Sequence, residues 1–140
     1  MLSEQRVGRR PTVLLADDHA ATNEQLRRLL HEHFDVVGQS ADGAALVAAE
    51  AALTPDAVVT DISMPGLDGI DATTLIRQRH PDARIVLVTV HAEQLLMDQG
   101  LAAGALGYVL KDSAGDELVT AVYAALNGEQ FVSRALRWKS

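Results

Sequence analysis

Cysteine is absent from this 140-residue chain, which excludes disulfides and thiolate metal sites and fits a reducing compartment. Aromatic residues make up only 4%, so a core has to be built from aliphatic side chains. No apolar run approaches the roughly 20 residues that span a bilayer. The start, Met1 to Arg10, is polar and arginine-bearing, and no apolar segment of the signal-peptide kind follows it. Cytoplasmic residence without a membrane partner is therefore expected. Cations are scarce: 12 Lys and Arg against 19 Asp and Glu give a net charge of −7. These residues do not form the basic cluster that grips a phosphate backbone. No Gly-rich phosphate loop follows the first apolar run, which counts against a nucleotide-binding fold.

What is present suits one folded domain. Hydrophobic residues make up 48% and charged residues 22%, enough to bury a core. There is no internal repeat. Residues 1–11 form a polar lead-in, 12–132 the domain, and 133–140 either the start of a linker or a C-terminal tail, basic and carrying the only tryptophan, Trp138.

Short apolar runs alternate with longer amphipathic ones. Thr12–Ala16, Val36–Gln39, Ala57–Thr60, Arg84–Thr89 and Leu106–Leu110 read as strands, several of them apolar throughout, as strands buried on both faces are. The segments between read as helices. Leu26, Leu29, Leu30 and His33 share one face of the first, and Leu118, Val122 and Ala125 one face of the last. Pro55, Pro65, Gly66, Gly69 and Pro81 mark loops, and Gly104, Gly107 and Gly128 sit where helices should stop. Five strand–helix units in succession predict an α/β fold, a doubly wound parallel sheet with helices on both faces.

In such a sheet, ligands bind outside the carboxyl ends of the strands. The first strand delivers Asp17 and Asp18 there, the third Asp61, the fourth Thr89 and the fifth Lys111. Taken singly, each has an ordinary reading: a helix-cap pair, a turn aspartate, a strand threonine, a surface lysine. Their coincidence on one rim is what points to chemistry. Unit charges ~4 Å apart interact by about 4 kcal/mol at an effective dielectric near 20, so clustered carboxylates call for a cation. Few carboxylates, waters and a phosphate oxygen suit Mg²⁺. It would be held by Asp18 and Asp61, with Asp17 acting partly through water. A carboxylate can attack a phosphoryl group. Asp61, alone at the end of a central strand, is the best nucleophile. Lys111 and Thr89 would then stabilise the phosphoryl oxygens.

Four segments carry a resemblance. They are Leu14-Leu15-Ala16-Asp17-Asp18-His19, Val58-Val59-Thr60-Asp61-Ile62-Ser63-Met64-Pro65-Gly66-Leu67-Asp68-Gly69, Ile85-Val86-Leu87-Val88-Thr89 and Ala105-Leu106-Gly107-Tyr108-Val109-Leu110-Lys111-Asp112. Together, from about Thr12 to Asn127, they resemble the receiver domain of two-component response regulators. Asp17-Asp18-His19 and Lys111-Asp112-Ser113 resemble the branch that carries LuxR-type helix-turn-helix output domains.

The resemblance implies a flavodoxin-like sheet of five strands, order 2-1-3-4-5, with five helices. It implies phosphorylation of Asp61 by a sensor histidine kinase, with Mg²⁺ at Asp17, Asp18, Asp61 and the backbone carbonyl of Ser63. Thr89 and Lys111 would bind the phosphoryl group, and Tyr108 would be the switch aromatic that responds with Thr89. The expected product is a phosphoprotein switch and not an enzyme with external turnover. The readout would be a homodimer or a freed output domain, with DNA contacted only through a domain these residues do not include. A stand-alone receiver acting by protein contacts is the alternative. Aspartyl-phosphate phosphohydrolases share the nucleophile and the metal, but place a second Asp where this chain has Ser63. Val90 stands where receivers more often have a smaller residue, which should narrow access to Asp61. Ser63 and His91 flank the site at positions that influence phosphoryl lifetime.

Overall fold

The computed structural model describes residues 9–137. Trp138 and most of the lead-in, residues 1–8, lie outside them.

The strands are β1 (Thr12–Ala16), β2 (Asp35–Ser40), β3 (Ala57–Thr60), β4 (Ile85–Thr89), β5 (Gly107–Leu110) and β6 (Phe131–Val132). All pair in parallel, in the order β2-β1-β3-β4-β5-β6. The expected order 2-1-3-4-5 is present, extended by one strand: two-residue β6 lies along the outer edge of β5. The helices are α1 (Ala20–His31), α2 (Gly43–Leu53), α3 (Gly69–Arg79), α4 (Gln94–Ala102), α5 (Ala114–Leu126) and the short α6 (Arg134–Arg137). The sixth helix is one more than expected, and a 3₁₀ turn at Lys111–Ser113 leads into α5.

Side-chain alternation along each strand splits the core in two. Val13, Leu15, Val59, Val86, Val88 and Val109 face α1 and α5, meeting Leu26, Leu30, Leu118 and Val122. Leu14, Ala16, Val58, Ile85 and Leu87 face α2, α3 and α4, meeting Leu46, Ile76 and Met97. β3 and β4 are buried throughout because helices cover both faces, whereas edge strand β2 alternates between exposed and half-buried residues until its last, Ser40, which is buried.

Two local expectations are corrected. Helix α1 ends at His31, so His33 lies exposed in the following turn and Phe34 enters the core instead. Gly107 stops no helix. It is a β5 residue where an added Cβ would lie 2.9 Å from the Val86 side chain. Gly104 and Gly128 do follow helices, each with positive φ.

Candidate functional site

The carboxyl ends of β1, β3, β4 and β5 form one rim, and each delivers a residue to it. The β1–α1 turn is held by Asn23, whose side-chain amide donates to the Asp17 backbone carbonyl at 2.9 Å. Asp17 is 1% exposed. Its Oδ1 accepts the His19 backbone N–H at 2.9 Å, and its Oδ2 lies 2.8 Å from Lys111 Nζ. That ion-pair contact lacks hydrogen-bond alignment, so Oδ2 has no conventional bond. His19, not an aspartate, occupies the α1 N-cap, without a side-chain capping bond. Asp18 is therefore not used as a cap, and its carboxylate lies 3.0 Å from His19 Nδ1.

Asp61 follows β3. The N-terminus of α3 comes so close behind it that a Cβ at Gly69 would stand 1.9 Å from the Asp61 carbonyl oxygen. Only glycine fits there. The Asp61 carboxylate is buried and doubly engaged. Oδ1 accepts the Ile62 N–H at 2.7 Å, and Oδ2 accepts from Lys111 Nζ at 3.0 Å. The Lys111 side chain is 16% exposed. Burial disfavours its charge, but its close contacts with the Asp17 and Asp61 carboxylates outweigh this, and its pKa is raised. A groove of about 520 Å³ between α1 and the start of α5 opens beside it.

Ligand atoms of Asp17, Asp18, His19 and Asp61 all lie within 4.8 Å of one another. Three carboxylates face one ammonium, so the cluster keeps an excess of negative charge. Hard oxygen donors with such an excess fit a hard divalent cation.

Thr89 is fully buried at the end of β4, where its hydroxyl accepts the His91 N–H at 3.2 Å. Tyr108 is buried too, with its hydroxyl donating to the His91 carbonyl at 2.7 Å. Desolvation first, then the charges of Glu93 and Asp61, push its phenol up to about 12. His91 Nε2 is 2.8 Å from Ser63 Oγ. Residue 91 thus touches Ser63, Thr89 and Tyr108 at once. Val90 is 70% exposed.

The expected set is therefore gathered as follows. Asp17, Asp18, Asp61 and Lys111 meet directly, while Thr89 and Tyr108 meet at His91, which pairs with Ser63. Sequence reasoning missed His19 as a neighbour of the carboxylates and Asn23 as the brace of their turn. The asparagine, three residues into a helix, carried no signal of its own.

A family model described as the response regulator receiver domain matches residues 13–123. The chain belongs to that family. Receivers are signalling switches, and the curated relatives agree. Response regulator UvrY of Escherichia coli O6:H1 is 36% identical over 123 residues, covering 86% of this chain and 56% of that protein. Transcriptional regulatory protein DegU of Brevibacillus brevis is 30% identical over 133 residues, covering 94% and 56%. This receiver chain spans about half the length of the curated relatives it matches. The crystal structure of a LuxR-family two-component response regulator from Aurantimonas superposes with a TM-score of 0.89 at 37% identity, covering 92% of this chain and 94% of that one. These likenesses place the chain in the LuxR-type branch.

Proposed function

We propose that this receiver is a phosphoacceptor switch in which Asp61 takes a phosphoryl group from a sensor histidine kinase. The placement of Lys111 Nζ 3.0 Å from the Asp61 carboxylate, inside a carboxylate cluster, is the observation that carries it. A carboxylate oxygen of Asp61 forms the new P–O bond. The bond from phosphorus to the donor breaks, and its electron pair leaves with the donor: the imidazole nitrogen of a phosphohistidine, or the acetate of acetyl phosphate.

Asp17, Asp18 and Asp61, with the Ser63 backbone carbonyl, would hold Mg²⁺. When bound, the metal supplies a Lewis acid that offsets charge on the phosphoryl oxygens. The chain's own residues do the rest. Ile62 N–H orients the Asp61 carboxylate. The Lys111 ammonium exchanges a carboxylate oxygen for a phosphoryl oxygen. Thr89 turns its hydroxyl from the His91 N–H toward the new group. Tyr108, bonded to the His91 carbonyl, responds to that movement. A differential contact of this kind is what biases a two-state switch. Ser63 stands where aspartyl-phosphate phosphohydrolases place a second aspartate, which counts against turnover of external phosphoesters.

The LuxR-type likeness and the name of DegU support a transcriptional output, through a DNA-binding domain these residues do not include and with dimerisation on phosphorylation. Incubation with acetyl phosphate and Mg²⁺, followed by intact mass, tests the switch. The wild type should gain one phosphoryl group. Asp61→Asn should gain none, and chelation should reduce the gain to background. An equal gain in Asp61→Asn would remove the proposal.

A further inference from the structure

Glu117 is a buried carboxylate, 4% exposed, that the phosphoryl site does not use. It lies in the first turn of α5 and reaches the segment after that helix. Its Oε1 accepts from Ser133 Oγ, and its Oε2 accepts the Arg134 N–H at 3.1 Å. The Arg134 guanidinium stands 3.6 Å from the same oxygen. Ser133 is fully buried, and its hydroxyl oxygen in turn accepts the Leu110 backbone N–H at 2.9 Å. Two residues earlier, Phe131 N–H donates to the Leu106 carbonyl, and Ser133 N–H donates to the Tyr108 carbonyl. Leu136, 2% exposed, sits in the apolar cluster that includes Tyr108. The Arg137 side chain folds back to the Val132 carbonyl at 2.8 Å and covers the Phe131 ring.

The segment is thus bolted to β5, and two of its anchor points belong to the switch. Leu110 directly precedes Lys111, whose ammonium bridges Asp17 and Asp61. Tyr108 is tied through its hydroxyl to the loop that carries Thr89 and His91. A phosphoryl group on Asp61 adds about −2 charge where the Lys111 ammonium now sits. The ammonium has to leave the Asp17–Asp61 bridge to meet a phosphoryl oxygen. Leu110 joins the two: it directly precedes Lys111, and its N–H is held by the Ser133 hydroxyl, so a shift of the Lys111 backbone would reach the bond to Ser133.

We propose that Phe131–Arg137 is a latch, clasped by Glu117 and Ser133, that is seated on β5 when Asp61 is unmodified and released when Asp61 is phosphorylated. The inference rests on the reading of Asp61 as the phosphoacceptor. It adds a route by which the edge of β5, and the segment lying on it, responds to that event. Coupling of this kind is reciprocal: whatever unseats the latch must favour the modified state by the same factor.

The test is amide hydrogen exchange on the full chain, with Mg²⁺ alone and with Mg²⁺ and beryllofluoride as the phosphoryl analogue. The Phe131 and Ser133 amides should exchange about tenfold faster with beryllofluoride, within the usual range of coupling between sites. Ser133→Ala should exchange fast in both conditions and bind beryllofluoride more tightly than wild type. Ser133→Thr, which keeps the hydroxyl, should restore the wild-type response. A merely structural role would lower the melting temperature of Ser133→Ala and leave its beryllofluoride affinity unchanged, and that result overturns the latch. A wild type that gains a phosphoryl group from acetyl phosphate, yet shows the same exchange at residues 131 and 133 in both conditions, also overturns it. Failure of the wild type to gain that group overturns the Asp61 reading and the latch with it.

Discussion

Lys111 is clamped between Asp17 and Asp61, and its charge is stabilised by both. Its folded pKa lies above the unfolded value, so it binds its proton more tightly in the native protein. The stability this contributes is fully present below the unfolded pKa of about 10.4 and is lost as pH rises through the folded value. Comparing wild type with Lys111→Met by urea unfolding should therefore show a gap at neutral pH that narrows in the alkaline range above pH ~10.4. A gap that stays constant there would mean that the ammonium is not stabilised by the two carboxylates. The same substitution should also slow phosphorylation of Asp61, because a neutral thioether cannot meet a phosphoryl oxygen.

Helix α3 packs its first residue onto the backbone of the phosphoacceptor, and this contact is sterically exclusive. With 1.9 Å between a would-be Cβ and the Asp61 carbonyl oxygen, Gly69→Ala has to push α3 away from β3. Overpacking of this type costs about 1–3 kcal/mol, readable as a lower urea midpoint. It should also slow phosphoryl uptake by intact mass, since Ile62 N–H and the Asp61 carboxylate move with the loop. Unchanged stability would show that the close approach is not maintained in solution. The elements themselves were largely legible in the sequence. Apolar runs of four to six residues define β1 to β5, and Asp42 and Asp68 cap α2 and α3 with bonds to Ala45 and Asp71. β6 was not legible, because two residues carry no period and pair only through contacts distant in sequence. His33 fitted the helical spacing of α1, yet the chain turns after His31 and gives the core position to Phe34.

At the scale of the molecule, the rim stands out in an already acidic chain of net charge −7. The carboxylates at Asp17, Asp18 and Asp61 were legible because a parallel sheet sends every strand end to one side. The loop contacts around them were not, since pairs such as His19 with Asp18, or His91 with Ser63, follow no spacing rule. Three clustered carboxylates store repulsion that a bound cation relieves. Mg²⁺ should raise the melting temperature, with a gain near 1.4 kcal/mol at about tenfold the dissociation constant. Asp18→Asn should reduce that gain, measured by differential scanning calorimetry. An equal gain in the variant would place the metal elsewhere.

Direct location of the acyl phosphate goes to the centre of this account. Borohydride reduces an aspartyl phosphate to homoserine, and peptide mapping after treatment with acetyl phosphate reads where that conversion occurred. The account predicts conversion at position 61 alone, present with Mg²⁺ and lost on chelation. Conversion at Asp17 or Asp18, or none at all in protein that has gained a phosphoryl group, would contradict it.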